Sequence, residues 1–161
     1  MRWEQFEALA PEISAAGKRL LYAPEAPEAP GAPEQGEVGL LATVDAGGTP
    51  RIAPVCPIFC TPGIYLLVAR KTPKCAHLAS NGMYALHALI GASDEEFQIS
   101  GTVRAVTSIE ERAVVIEAIP FPAYDPNDPI FELLIDRALN VSWPTPGKPV
   151  RRAWPVRSRS G

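Results

Sequence analysis

Most of the chemistry this sequence offers in one place lies in five consecutive residues, Arg70-Lys71-Thr72-Pro73-Lys74. Thr72 is of the type that caps a helix, Pro73 suits the first helical position, and Asn81-Gly82 supplies a stop, so the pattern predicts a short helix over Pro73 to Ser80. The first turn of a helix presents unpaired amides and the positive end of the dipole. Here Arg70, Lys71 and Lys74 add cationic side chains. The combination attracts an anion, and a phosphate is the guest it suits. Arg51, opening a predicted strand on the same face as Ala53 and Val55, could add a charge there or form only a salt bridge at the rim.

Cys56, Cys60, Cys75 and His77 are of types that bind zinc, but their spacing argues against a metal. Four residues along one extended strand separate Cys56 from Cys60 by roughly 13 Å, which is also too far for a disulfide. Cys75 and His77, two apart on a helix, point to different sides. Free thiols and no metal are expected. His77 and His87 read as hydrogen-bonded packing residues. Asp94-Glu95-Glu96 reads as a solvated acidic loop, while Trp143 and Trp154 could either wall a cleft or pin a proline- and arginine-rich tail.

The elements that position these residues follow from periodicity and punctuation. Trp3, Phe6, Leu9, Ala10 and Ile13 recur at helical spacing, with Pro11 starting a second segment, so residues 1–22 form an amphipathic arm that must dock on something. Residues 23–37 are a Pro/Glu/Ala-rich linker without a large apolar side chain. Residues 38–161 form the main domain. Its predicted strands are Val38–Val44, Arg51–Phe59, Ile64–Ala69, Tyr84–Ile90 and Phe97–Val106. Asp45-Ala46-Gly47-Gly48 makes the first hairpin and Thr61-Pro62-Gly63 a type II turn. Pro54 and Pro57 cannot donate to a ladder, so the second strand belongs at an edge or carries bulges. Ser108-Ile109-Glu110-Glu111 is a capping box that opens a helix to about Ala118, and Ile130 to Trp143 fits either a helix or a strand.

A chain of 161 residues carries one ordinary domain plus appendages. Its net charge of −3 and pI near 5.4 leave no basic face for nucleic acid. No apolar run approaches the roughly 18 to 20 residues of a membrane span, and the N-terminus lacks the apolar core of a signal peptide. The expectation is a soluble, cytoplasmic protein with no membrane partner.

Taken in order, Leu41-Ala42-Thr43-Val44, Gly48-Thr49-Pro50-Arg51-Ile52-Ala53-Pro54-Val55, Ile64-Tyr65-Leu66-Leu67-Val68, Thr72-Pro73-Lys74 with Leu78, and Ile99-Ser100-Gly101-Thr102-Val103 resemble the pyridoxamine 5'-phosphate oxidase-like proteins with an FMN-binding split barrel. Cys56-Pro57, Tyr84-Ala85-Leu86-His87, Asp94-Glu95-Glu96-Phe97 and Phe131-Glu132-Leu133 look like a bacterial branch of that family. The resemblance covers about Val38 to Trp143. It implies a mainly β fold with helices, a six-stranded antiparallel split β-barrel, and a homodimer with two flavins in clefts between subunits. By position it implies cofactor binding by Arg51, Ile52, Ala53 and Pro54, by Leu67 and Val68, and by Thr72 and Lys74, with Arg70 and Lys71 assisting. It also implies a strand over Ile130–Asp136, and Glu96 or Phe97 near the flavin ring. Pro73 stands where the family's second phosphate-binding residue, an arginine, would be, and the vitamin-phosphate residues of the family's C-terminal segment have no match. An FMN-dependent oxidoreductase acting on an unidentified small molecule or redox partner is therefore expected, and not a vitamin B6 enzyme. Deazaflavin or haem would suit the same barrel, as would a non-catalytic module that carries or senses the cofactor.

Overall fold

The computed structural model describes residues 1–21, 38–90, 94–121 and 124–155, so the linker expected over 23–37 lies outside the described residues. Two helices, α1 (Trp3–Leu9) and α2 (Pro11–Leu21), precede strands β1 (Gly39–Val44), β2 (Pro50–Val55), β3 (Ile58–Cys60) and β4 (Gly63–Leu67). Helix α3 (Pro73–Ser80), strands β5 (Met83–Ala88) and β6 (Glu96–Ala105), helix α4 (Ile109–Glu117) and strands β7 (Ile130–Thr145) and β8 (Lys148–Trp154) follow. The strands form one antiparallel sheet in the order β2-β1-β5-β6-β7-β4-β3, with β8 added on β7. This is the expected split barrel, built from eight strands where six were anticipated.

Two features bend and open the sheet. The β6–β7 register shifts at Ser100/Gly101, where a Cβ on Gly101 would collide with the Leu134 carbonyl, so only glycine lets the strands approach. The sheet's two end strands, β2 and β3, are consecutive in the chain, yet no ladder joins them among the described residues. The barrel is split along this seam. The single strand expected over Arg51–Phe59 breaks there because Pro57 has no amide to continue a ladder.

Inward-facing side chains of the strands form the core, and the N-terminal arm belongs to it. Trp3, Phe6, Ile13 and Leu21 join Leu41, Leu86, Phe97 and Leu133 in one buried cluster. Each such large side chain contributes roughly 1.5–3 kcal/mol on burial. Gly17 lies on the Phe97 ring so closely that a Cβ would overlap it, which fixes how deeply α2 plugs the barrel. A second cluster, with Ile58, Tyr65 and Val115, sits under α4.

Several local expectations are corrected. Cys60 pairs with Gly63, so Thr61 and a cis Pro62 are the central residues of the hairpin; proline is third, as in a type VI turn, not second as in type II. The strand expected to end at Asp136 runs to Thr145, and the supposed tail folds back through Pro146-Gly147 as β8. Trp154 thereby reaches Phe6, with ring centroids 5.5 Å apart. Ser108 caps α4 by accepting from the Glu111 amide at 3.2 Å, but the Glu111 side chain does not complete a capping box. It turns instead toward two arginines. No helix among the described residues is long and apolar enough to cross a membrane.

Candidate functional site

Beyond β4 the chain makes a tight turn into α3. The Thr72 hydroxyl donates to the Ala69 carbonyl at 2.7 Å and accepts from the Cys75 amide at 3.4 Å, while Pro73 occupies N1. Proline has no amide and Cys75's is taken by the cap. The Lys74 amide is therefore the first-turn donor without an acceptor among the described residues, and the turn holds no acidic side chain. The Lys74 ammonium donates to the Pro54 carbonyl on β2 at 3.2 Å, leaving two of its three protons for a guest. Lys74 and Pro54 thus bring together the helix and strand expected to share the site.

The other expected residues divide by which way their strand turns them. Arg51 is exposed on β2 opposite Thr43, whose hydroxyl lies 3.0 Å from His77 Nδ1, so its row of side chains runs beside α3. Ala53 stands in that row, half-buried, opposite Leu41. Ile52 and Pro54 point to the opposite, outer face. Leu67 is half-buried at the end of β4, whereas the Val68 side chain is in the core and its amide donates to Pro129. Lys71 is exposed. Arg70 does not join Lys74: its guanidinium donates to the Asn127 carbonyl at 2.7 Å and its amide to Asp128 at 2.9 Å, which ties it to the turn over 125–128. Phe97 faces the core and cannot touch a ring on the outer face. Trp143 lines a separate polar cavity where Arg19 pairs with Glu95 and Arg152 with Glu12. Cys56 is close enough to Lys74 for that charge to oppose the burial that pushes its thiol up.

Sequence reasoning missed the outer face itself. Leu40 lies in register with Pro54 on one side and His87 on the other, and these strands border an open apolar hollow of about 620 Å³. Ile52 is 68% exposed, and Leu40, Leu89 and Ile90 are exposed too. The signal was present in Leu40-Leu41-Ala42, which is apolar on both faces where a one-sided strand would alternate.

A second charged cluster lies elsewhere. Glu132, with no exposed surface, accepts from Arg2 Nε at 2.5 Å and from Arg104 Nε at 2.8 Å. Glu111 accepts from Arg2 at 3.1 Å, from Arg104 Nη1 at 3.0 Å and from the Tyr65 hydroxyl at 3.3 Å. Hydrogen bonding from Arg104 holds the Glu111 carboxyl below its usual range, and burial, followed by the Glu132 charge, pushes Tyr65 up to about 12. Every charge here has its partner within the protein.

No known family model matches the chain, and no curated protein matches it. Solved structures do resemble it. A haem-binding protein from Mycobacterium smegmatis superposes with a TM-score of 0.57 at 18% identity over 72% of this chain and 52% of that one, so this chain spans about half its length. A NimC/NimA family protein from Clostridium acetobutylicum superposes with a TM-score of 0.57 at 17% identity, over 73% of this chain and 83% of that one. A Clostridium acetobutylicum protein related to general stress protein 26, of the pyridoxine phosphate oxidase family, gives 0.55 at 13% identity over 72% and 84%. At these identities the likeness is one of fold.

Proposed function

We propose, from the premise that this chain is a split barrel of the pyridoxamine 5'-phosphate oxidase-like type, that it binds FMN at the α3–β2 corner and serves as an FMN-dependent oxidoreductase. The observation that carries this reading is the Lys74 corner: an ammonium with two open donors and an acceptorless amide at a helix N-terminus without a carboxylate. These are the groups a phosphate monoester takes. Bound FMN would supply hydride or electron transfer, so the chain itself needs no catalytic acid or base.

The residues here bind and orient. Lys74 and its amide hold the phosphate end, Thr72 fixes the helix start, and Arg51 stands on the neighbouring row of β2. The apolar outer face beside Pro54 gives a flat ring a surface from which water is excluded. A second copy of the chain covers that face, where Leu40, Ile52, Leu89 and Ile90 are all exposed around one apolar cavity. The cleft then lies between subunits and admits a small-molecule substrate or redox partner. Three free thiols suit the reducing cytoplasm.

The test is a comparison of FMN with riboflavin, followed by flavin fluorescence in the purified protein. FMN should bind at least about tenfold more tightly, the worth of one charge-assisted contact. Equal affinity for both would remove the phosphate site and this reading with it. Sedimentation reports the assembly separately, and a stable monomer at micromolar concentration would contradict the shared cleft.

A further inference from the structure

We infer that the polar cavity between α2 and the ends of β7 and β8 binds a nucleobase-like ring, a planar heterocycle with a ring N–H beside a carbonyl on one edge, as a free nucleoside carries it. The cavity measures about 620 Å³, within the roughly 300–1,000 Å³ of small-molecule pockets, and shares no lining residue with the α3 corner. Helix α2 supplies Glu12 and Arg19 to its wall, β7 supplies Asn140 and Trp143, β8 supplies Arg152, and Glu95 stands just before β6.

Asn140 is the group that would read the ring. It is 3% exposed, and its Nδ2 donates to Glu95 Oε1 at 2.9 Å and to the Glu96 carbonyl at 3.0 Å. A carboxylate and a carbonyl can only accept, so the amide cannot be turned round, and Oδ1 is its free end. No donor among the described residues reaches Oδ1. Nor is it sealed off, since the fully enclosed side-chain polar atom without a partner among those residues is Trp3 Nε1. Holding Glu95 occupies only the nitrogen of this amide. An acceptor left open in the wall of a cavity costs desolvation until a guest or a water donates to it.

The donors that a ring carbonyl needs stand beside it. Arg19 Nη2 also donates to Glu95 Oε1, at 3.0 Å, so the amide and the guanidinium share one oxygen, and Arg19 Nε and Nη1 have no acceptor among the described residues. Arg152, the register partner of Asn140, engages only its Nε, with Glu12 at 2.9 Å. Glu12 is 77% exposed, so this pair is weak and leaves the guanidinium available to a guest. Trp143, half-buried, gives a ring an aromatic wall to stack on.

Charge and hydrogen bonding together select the class. Two guanidiniums are matched by two carboxylates, so a guest of either sign would leave one charge over. An aromatic acid has acceptors for the arginines but nothing for Oδ1, and an amine has the reverse. A lactam edge offers both without net charge, its N–H to Asn140 and its carbonyl to a guanidinium, on a ring flat enough to stack. Hypoxanthine, guanine and uracil share that edge.

The experiment titrates inosine into the full-length wild-type chain by isothermal calorimetry, beside 1-methylinosine, in which a methyl group replaces the one ring N–H. Wild type should bind one inosine per chain and bind 1-methylinosine about tenfold or more weaker, because the methyl leaves Oδ1 without its donor. Trp143→Ala should weaken inosine about tenfold, with circular dichroism reporting the fold; should that variant not fold, the methyl comparison decides. Lys74→Glu should leave inosine binding unchanged. Absence of saturable heat means that the cavity holds only water and overturns the inference, as do equal affinities for the two nucleosides or an unaltered affinity in folded Trp143→Ala. Loss of inosine binding in Lys74→Glu would put the nucleoside at the α3 corner and overturn it too. The preference for FMN over riboflavin is measured separately on the same protein, so either reading can fail while the other stands.

Discussion

The protein contains two concentrations of charge that differ in how far their groups are satisfied. At the Arg2–Glu132–Arg104–Glu111 cluster the carboxylates and guanidiniums meet one another, and Glu132 is wholly buried between its partners. At the α3 corner Lys74 has one carbonyl for three protons, the neighbouring amide has no acceptor, and no carboxylate stands in the turn. A cluster that is complete holds elements together; one left open has room for a guest. The first joins the start of the arm to β6, α4 and β7, and the second faces the seam where the barrel is open.

Substitutions should separate the two. The largest effect is expected from Glu132→Ala, because breaking a buried ion pair costs roughly 3–5 kcal/mol. Arg2 and Arg104 are 36% and 41% exposed and can take up water, so about 3 kcal/mol or somewhat less is expected in denaturant titration, with FMN affinity in the folded fraction unchanged. Loss of FMN binding in that folded fraction would mean the clusters are coupled. Lys74→Glu should do the reverse. It should lower FMN affinity by roughly tenfold to a hundredfold, about 1.5 to 3 kcal/mol, and abolish the preference over riboflavin, with the melting temperature nearly unmoved. Wild-type FMN affinity in a folded Lys74→Glu protein would remove Lys74 from the site.

Thr72→Ala should show an intermediate pattern, since it removes the cap that holds the corner open. About 1 kcal/mol of stability should go, together with a modest loss of FMN affinity. A fall in affinity without any loss of stability would make Thr72 a direct ligand and not a cap. The smallest effect concerns acid. Glu111 has its carboxyl held below the usual range by Arg104, so its contribution is present above the unfolded-state value of about 4.3 and is lost as pH falls through the lower folded-state value. Stability of the wild type should therefore decline on that acid limb, and Glu111→Gln should flatten it. An identical acid profile in the variant would show that the carboxyl titrates the same way folded and unfolded.

What could be read from the sequence was what neighbours in the chain decide. Thr72, Pro73 and Asn81 set both ends of α3, and its observed bounds are those expected. The order of strand motifs carried the barrel. What could not be read depends on the path of the chain through space. Arg2 and Glu132 are 130 positions apart, and their pairing requires the arm to reach the paired strands β4 and β7. Arg70 sits beside Lys71 in sequence but answers to Asn127 and Asp128. That His87 lies on the outer face could not be read either, because which face of β5 is outside is known only when its neighbours on both sides are. The tail became β8 because β7 outran its expected end, a consequence of continued pairing with β6 that no local signal announces.

The open edge of β2 has a consequence for how copies of this protein can meet in a crowded solution. Along an antiparallel strand, residues alternately direct both backbone groups toward the neighbour and away from it. The Pro54 carbonyl is taken by Lys74, so Pro50, Ile52 and Pro54 are the residues whose backbone faces away from β1. Two of these three have no amide. The edge offers an incoming strand one donor, at Ile52, with an ammonium already seated on one of the acceptors. Such an edge is a poor template for fibril growth, so the chain is steered away from ladder-by-ladder aggregation at this margin of the sheet.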